Sequence, residues 1–270
     1  MKAFTLSRQT GHERPVVIEV PHAGLAIPDD VRAQLRVSRA DVMRDADLFV
    51  DRLYASATTH GCSLLVSHVS RYVVDLNRAE DDIDRDVVPD HPRPRPTQSR
   101  GVVWRTTTTG EPALVAPLPH AQLESRLARY HRPYHAALEA EVDRKRRLFG
   151  TVLILCAHSM PSVTRPGAPR RADVVPGSRG GSTTSPRVLD VIDAGFRGAG
   201  LSVRHDDPYK GGFTTQKFGR PHDGVHAVQI ELNRALYVNE RTSEPDDDGF
   251  ARLTDTLDAL LVQLARLDLR

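Results

Sequence analysis

Three runs constrain the fold of this chain most: PVVIEV at residues 15–20, SLLVSHV at 63–69 and TVLILC at 151–156. Each is rich in β-branched residues or leucine and reads as a strand. Further strand-like stretches lie at 71–76, 201–205 and 225–232. Apolar residues at helical spacing fill intervals between them, at 45–60, 119–149, 184–199 and 247–268. Strands interleaved with helices imply an α/β sheet with layers on both faces. No internal repeat is visible.

At 270 residues the chain can bury a large core, and a single domain over 1–270 is expected. With 39% hydrophobic and 27% charged residues the composition is that of an ordinary globular protein. No apolar run is long enough to span a bilayer and no cleavable signal opens the sequence, so a cytoplasmic protein without a membrane partner is expected. A formal charge of +2 leaves no electrostatic footprint for nucleic acid. Of the 37 cations 33 are arginines, a bias that makes no single arginine informative by type alone. Cys62 and Cys156 each border an apolar run, as buried thiols rather than a disulfide or a zinc cluster.

Chemistry gathers where the strands end. PVVIEV leads to His22, TVLILCA to His158 and Ser159, SRYVVDL to Asn77 and Arg78, and HAVQI to Glu231 and Asn233. A lone histidine after a strand is more often structural than functional. Two of them on separate strands, with Asp45 and Asp47 following the first, change that balance. Two imidazoles and one carboxylate suit a zinc ion with one open position, which acidifies water. Amide hydrolysis also needs a carboxylate to carry the proton from water to the leaving nitrogen, and Glu231 is the candidate. The polar stretches 79–100 and 161–183 follow such strand ends and read as functional loops, as open α/β sheets build them.

The motifs PHAG (21–24), DADLFVDRLY (45–54), SRYVVDLNR (70–78), YHRPYHAAL (130–138), AHSMPS (157–162), PYKGGFTTQKFGRP (208–221) and HAVQIELNRALY (226–237) are collinear with those of one family. In them the chain resembles the N-formylglutamate amidohydrolases (deformylases) over about residues 15–240. That resemblance implies a three-layer α/β/α fold with a central mixed sheet, similar to the zinc carboxypeptidases and the succinylglutamate desuccinylase/aspartoacylase group. It implies that His22, an aspartate of the DAD motif and His158 bind Zn2+ or another divalent ion, with Asp47 preferred over Asp45. Glu231 is then the general base and acid. The implied substrate is a small acidic molecule, N-formyl-L-glutamate, cleaved to formate and L-glutamate in histidine breakdown.

The same resemblance makes Asn77 and Arg78 a pair that holds a substrate carboxylate, with Arg71 binding carboxylate or polarising the scissile carbonyl. Arg100, Lys217 and Arg220 are candidates for the second carboxylate. Gly211 and Gly212 fit a loop needing positive φ or a close approach of ligand. His131 and His135, at i and i+4, suit a structural or substrate-side role, with Pro133 marking a helix start. Ser159 lacks a G-x-S-x-G elbow. Two features depart from the family pattern: Leu48 replaces the tryptophan that often follows the aspartate, and 101–118 fits loosely. Another N-acyl amino acid or a small peptide as substrate, and a noncatalytic ligand-binding relative, are the alternatives.

Overall fold

The structure is a computed structural model and describes residues 2–9, 11–94, 99–165 and 167–269. Residues 95–98 of the expected loop at 79–100, and Pro166 of that at 161–183, lie outside the described residues.

Six strands form the main sheet: β1 (Phe4–Ser7), β2 (Val16–Val20), β3 (Ser63–Ser67), β4 (Val152–Met160), β5 (Val174–Gly177) and β6 (Val225–Asn233), in the order β1-β3-β2-β4-β6-β5. β4 runs parallel to β2 and to β6, while β5 closes one edge antiparallel to β6. The helices are α1 (Asp29–Arg32), α2 (Arg39–Asp45), α3 (Val50–Leu53), α4 (His120–Arg126), α5 (Arg132–Phe149), α6 (Pro186–Gly198), α7 (Phe213–Phe218) and α8 (Asp247–Arg266). The fold is therefore α/β, with a mixed central sheet and flanking helices, as the sequence pattern implies. Every residue of β2, β4 and β6 is buried, which explains why their apolar runs do not alternate. No helix among the described residues is long and apolar enough to cross a membrane.

The chain divides into two compact units. One comprises Pro21–Asp47 and Val66–Leu138 with the N-terminal residues up to Thr5; the other comprises Leu6–Val20, Leu48–Leu65 and Glu139–Arg270. The second unit contains an ionic cluster around the buried Lys145 and Glu141. Lys145 donates to the Arg14 carbonyl (2.7 Å) and pairs with Glu13 (3.0 Å), and Arg144 and Arg8 pair with the buried Glu141 at 2.7 Å each.

Several local expectations are corrected. Residues 71–76 are turns rather than a strand, although Tyr72, Val73 and Val74 are buried. Side chains satisfy three of the carbonyls: Arg126 donates to Val73 O (3.1 Å) and Tyr72 O (3.4 Å), and His135 to Leu76 O (2.9 Å). The helix expected at 45–60 is broken by Phe49, whose φ of +61° is left-handed, leaving α3 and a 3₁₀ segment, Ala55–His60. At 201–205 only Val203 bridges, to Val174, before the chain turns at Asp206. Conversely, β5 lies within 161–183, where Pro176 disguises a strand that the sheet edge tolerates. The pattern at 119–149 is helical, but a π turn at Leu127–His131 separates α4 from α5, so Pro133 falls one residue inside α5.

Candidate metal and amidohydrolase site

Ligand atoms of His22, Asp47 and His158 lie within 4.8 Å of one another, and all three side chains are buried. His22 follows β2 at the PHAG turn, and Asp47 follows α2. The Asp47 N–H donates to the His22 carbonyl (3.0 Å), which ties the two motifs together through the backbone. His22 Nδ1 faces Asp47 Oδ2 at 3.6 Å.

Further contacts fix the orientation of the His22 ring. Its Nε2 donates to Asp75 Oδ1 at 2.7 Å, because an ionised carboxylate only accepts. The Arg71 Nη2 donates to Nδ1, which must therefore carry the lone pair. A carboxylate behind a histidine in this way holds the tautomer and the plane that metal ligation requires. Asp75 is itself buried and also accepts from Trp104 Nε1 (2.8 Å) and the Asn77 N–H (2.9 Å). Burial alone would raise its pKa, but the interaction with His22 and the charge of Arg71 outweigh burial and hold it far below the usual carboxylate range.

Asp45 is engaged differently from Asp47. Its Oδ2 accepts from the Tyr72 hydroxyl and the Thr108 N–H (3.1 Å), and its Oδ1 from the Thr108 hydroxyl. It thus anchors the 101–118 segment, which the sequence pattern fits only loosely. Gly24 permits the PHAG turn to lie against neighbouring backbone. A Cβ there would sit 2.6 Å from the carbonyl oxygens of His68 and Val69.

His158 lies inside β4 rather than beyond its end, because the strand continues to Met160. It is paired in register with Glu231 of β6, so the two side chains leave the same face of the sheet. Both are buried. The Ser159 hydroxyl accepts from Arg234 Nε (3.1 Å), and the Asn233 side chain accepts from the Ala235 N–H (3.1 Å), which gives both residues local structural partners.

The candidate substrate cations fall into two groups. Arg71 lies 4.8 Å from the Trp104 ring centroid and donates to the Asp45 carbonyl (3.2 Å). Arg100 covers the same ring at 5.6 Å, and its carbonyl accepts from Arg78 Nε (2.9 Å). With Asn77 buried beside Asp75, these residues gather around Trp104 and Asp75. Lys217 and Arg220, by contrast, make surface ion pairs with Glu139 and Asp223, both at 3.3 Å. His131 and His135 donate to the carbonyls of Arg78 and Leu76, each at 2.9 Å, and so support the Asn77–Arg78 segment from below. Gly211 has a φ of +99°.

Asp75, Trp104 and Gln229 are absent from the sequence-derived site. Asp75 lies within the SRYVVDLNR motif, two residues before Asn77, and Trp104 is the chain's one tryptophan. Gln229 precedes Glu231 by two residues and therefore shares its face of the strand.

Residues 14–238 match the family described as N-formylglutamate amidohydrolase. The N-formylglutamate deformylase of Pseudomonas aeruginosa is 34% identical over 234 residues, covering 84% of this chain and 83% of the relative. That of Pseudomonas putida is 33% identical over 233 residues, covering 84% and 82%. The crystal structure of N-formylglutamate amidohydrolase from Ralstonia eutropha JMP134 superposes with a TM-score of 0.91 at 33% identity, covering 98% of each chain.

Proposed function

The chain belongs to the N-formylglutamate amidohydrolase family, and from that premise we propose a hydrolysis of N-formyl-L-glutamate to formate and L-glutamate that depends on a divalent metal ion, zinc by preference. The observation that carries the metal is the buried His22, Asp47 and His158 trio. The donor set fits such an ion: two neutral imidazoles and one carboxylate, with His22 Nδ1 presenting a lone pair because Nε2 is committed to Asp75. Bound there, the ion would supply Lewis acidity, acidifying water and polarising a carbonyl.

The remaining steps belong to the chain's own groups. Asn77 and Arg78 take one substrate carboxylate, and Arg71, which donates to His22 Nδ1, releases it to polarise the formyl oxygen. Arg100, over the Trp104 ring, serves the second carboxylate better than Lys217 or Arg220, whose charges are already paired at the surface. The Glu231 carboxylate takes the proton from attacking water and passes it to the departing nitrogen, so that the amine leaves neutral. We read residues 1–270 as one amidohydrolase domain, acting in the cytoplasm, where the buried free thiols Cys62 and Cys156 stay reduced.

The test is formate release from N-formylglutamate with metal analysis of the purified protein, before and after chelation. Activity lost with the metal and restored by Zn2+ is expected; activity indifferent to chelator in metal-free protein sinks the mechanism. Glu231→Gln should keep metal and fold and lose turnover by roughly 10³-fold. Assays with N-acetylglutamate and N-formylaspartate define how far the substrate can vary.

A further inference from the structure

Two residues before His158 and Glu231, toward the start of the parallel strands, a polar row crosses the sheet. Glu19 of β2 is in register with Cys156 of β4, and Cys156 with Gln229 of β6. All three are buried. They lie two residues before the level of His158 and Glu231, and therefore on the same face. The segment entering α7 docks on this row residue by residue. The Gly212 N–H donates to Gln229 Oε1 (2.8 Å), Thr214 Oγ1 to Glu19 Oε1 (3.1 Å), and Thr215 Oγ1 to Cys156 Sγ (3.6 Å).

Gln229 differs from the other two because its amide continues toward the site. A backbone N–H only donates, so the amide oxygen must face Gly212 and its NH2 must face the other way. That NH2 donates to Glu231 Oε1 at 2.7 Å. Resting on the reading of Glu231 as the base, we infer that Gln229 is its positioning residue, which fixes the carboxylate by relaying the docked position of the Gly211–Gly212 backbone. The relay has one polarity. The amide at 229 accepts from the loop and donates to the base, whereas a carboxylate there satisfies Gly212 while setting an anion against Glu231.

Gln229→Glu separates this role from simple anchoring of the loop, since it preserves shape and the acceptor for Gly212. The expected result is a fall in kcat of roughly 10²-fold, with KM within a few-fold and bound zinc unchanged, as for a misplaced catalytic group. Wild-type kcat, or a raised KM with kcat unchanged, overturns the assignment. Should a second buried carboxylate prevent folding, Gln229→Met conserves volume without either hydrogen bond, and the same loss of kcat is expected; full turnover overturns the relay. Glu231→Gln is measured alongside. If it is fully active, the base itself is misassigned; if it is inactive while the Gln229 variants turn over normally, only the positioning role fails.

Discussion

Replacing Asp75 by asparagine tests how the site is oriented, because three donors converge on its two oxygens. Oδ1 accepts from His22 Nε2 and the Asn77 N–H, and Oδ2 from Trp104 Nε1. Asparagine keeps the shape but turns one acceptor into a donor. With the new NH2 toward Trp104, two N–H groups oppose each other and a buried bond is lost, at a cost of about 1–3 kcal/mol. With the amide reversed, His22 Nε2 must accept, the ring proton moves to Nδ1, and the lone pair facing Asp47 disappears. The first arrangement costs stability; the second sets the new NH2 against the Asn77 N–H and so costs stability and metal together. Loss of such an outer partner reduces metal affinity by about 10–100-fold, or about 1.4–2.7 kcal/mol. Urea unfolding of the metal-free protein and competition of Zn2+ against a chromogenic chelator read the two costs separately. Trp104→Phe removes the opposing donor, so the double variant should be more stable than the sum of the single effects by about 1 kcal/mol. Strictly additive stabilities together with unchanged zinc affinity would refute the reasoning.

Two further outcomes concern the scaffold. Gly24→Ala should cost about 3 kcal/mol, because the atoms its Cβ meets are the His68 and Val69 carbonyls, which cannot rotate away; an unchanged denaturant midpoint would show that the PHAG turn can shift. Glu13 has its pKa lowered from 4.5 to about 2, chiefly by its bond from Arg144. A folded-state pKa below the unfolded one stabilises in full above about pH 4.5 and is lost as pH falls toward 2. Glu13→Gln should therefore flatten the acid limb of the stability–pH curve over that interval, and parallel curves for the two proteins would contradict it.

The parts legible in the sequence are those where one kind of burial dominates. β2, β4 and β6 are enclosed on both faces, and an unbroken apolar run has no other use in a chain of this composition. His22, His158 and Glu231 stand out because they interrupt or end such runs. Residues 71–76 mislead for a physical reason: Tyr72, Val73 and Val74 are as apolar as a strand, yet Arg126 and His135, some 50 to 60 residues away in sequence, satisfy the carbonyls of Tyr72, Val73 and Leu76. Local pattern carries no trace of that partnership. Asp75 and Gln229 escape notice because their importance lies in which atoms they orient. Asp45 and Asp47 are the same residue type in one motif; the bonds from Tyr72 and Thr108 engage Asp45, while Asp47 lies with His22 and His158.

The π turn at Leu127–His131 makes chain length, independent of residue identity, a determinant of this architecture. In an unbroken α-helix Arg126 would point about 140° away from His131 and about 180° from His135. One extra residue accommodated without its 100° of rotation brings these angles to about 40° and 80°. All three side chains then address the single irregular segment that holds Asn77 and Arg78. Deleting any one residue of that turn would rewind the helix and swing Arg126 off its carbonyls, whatever the type of the residue lost.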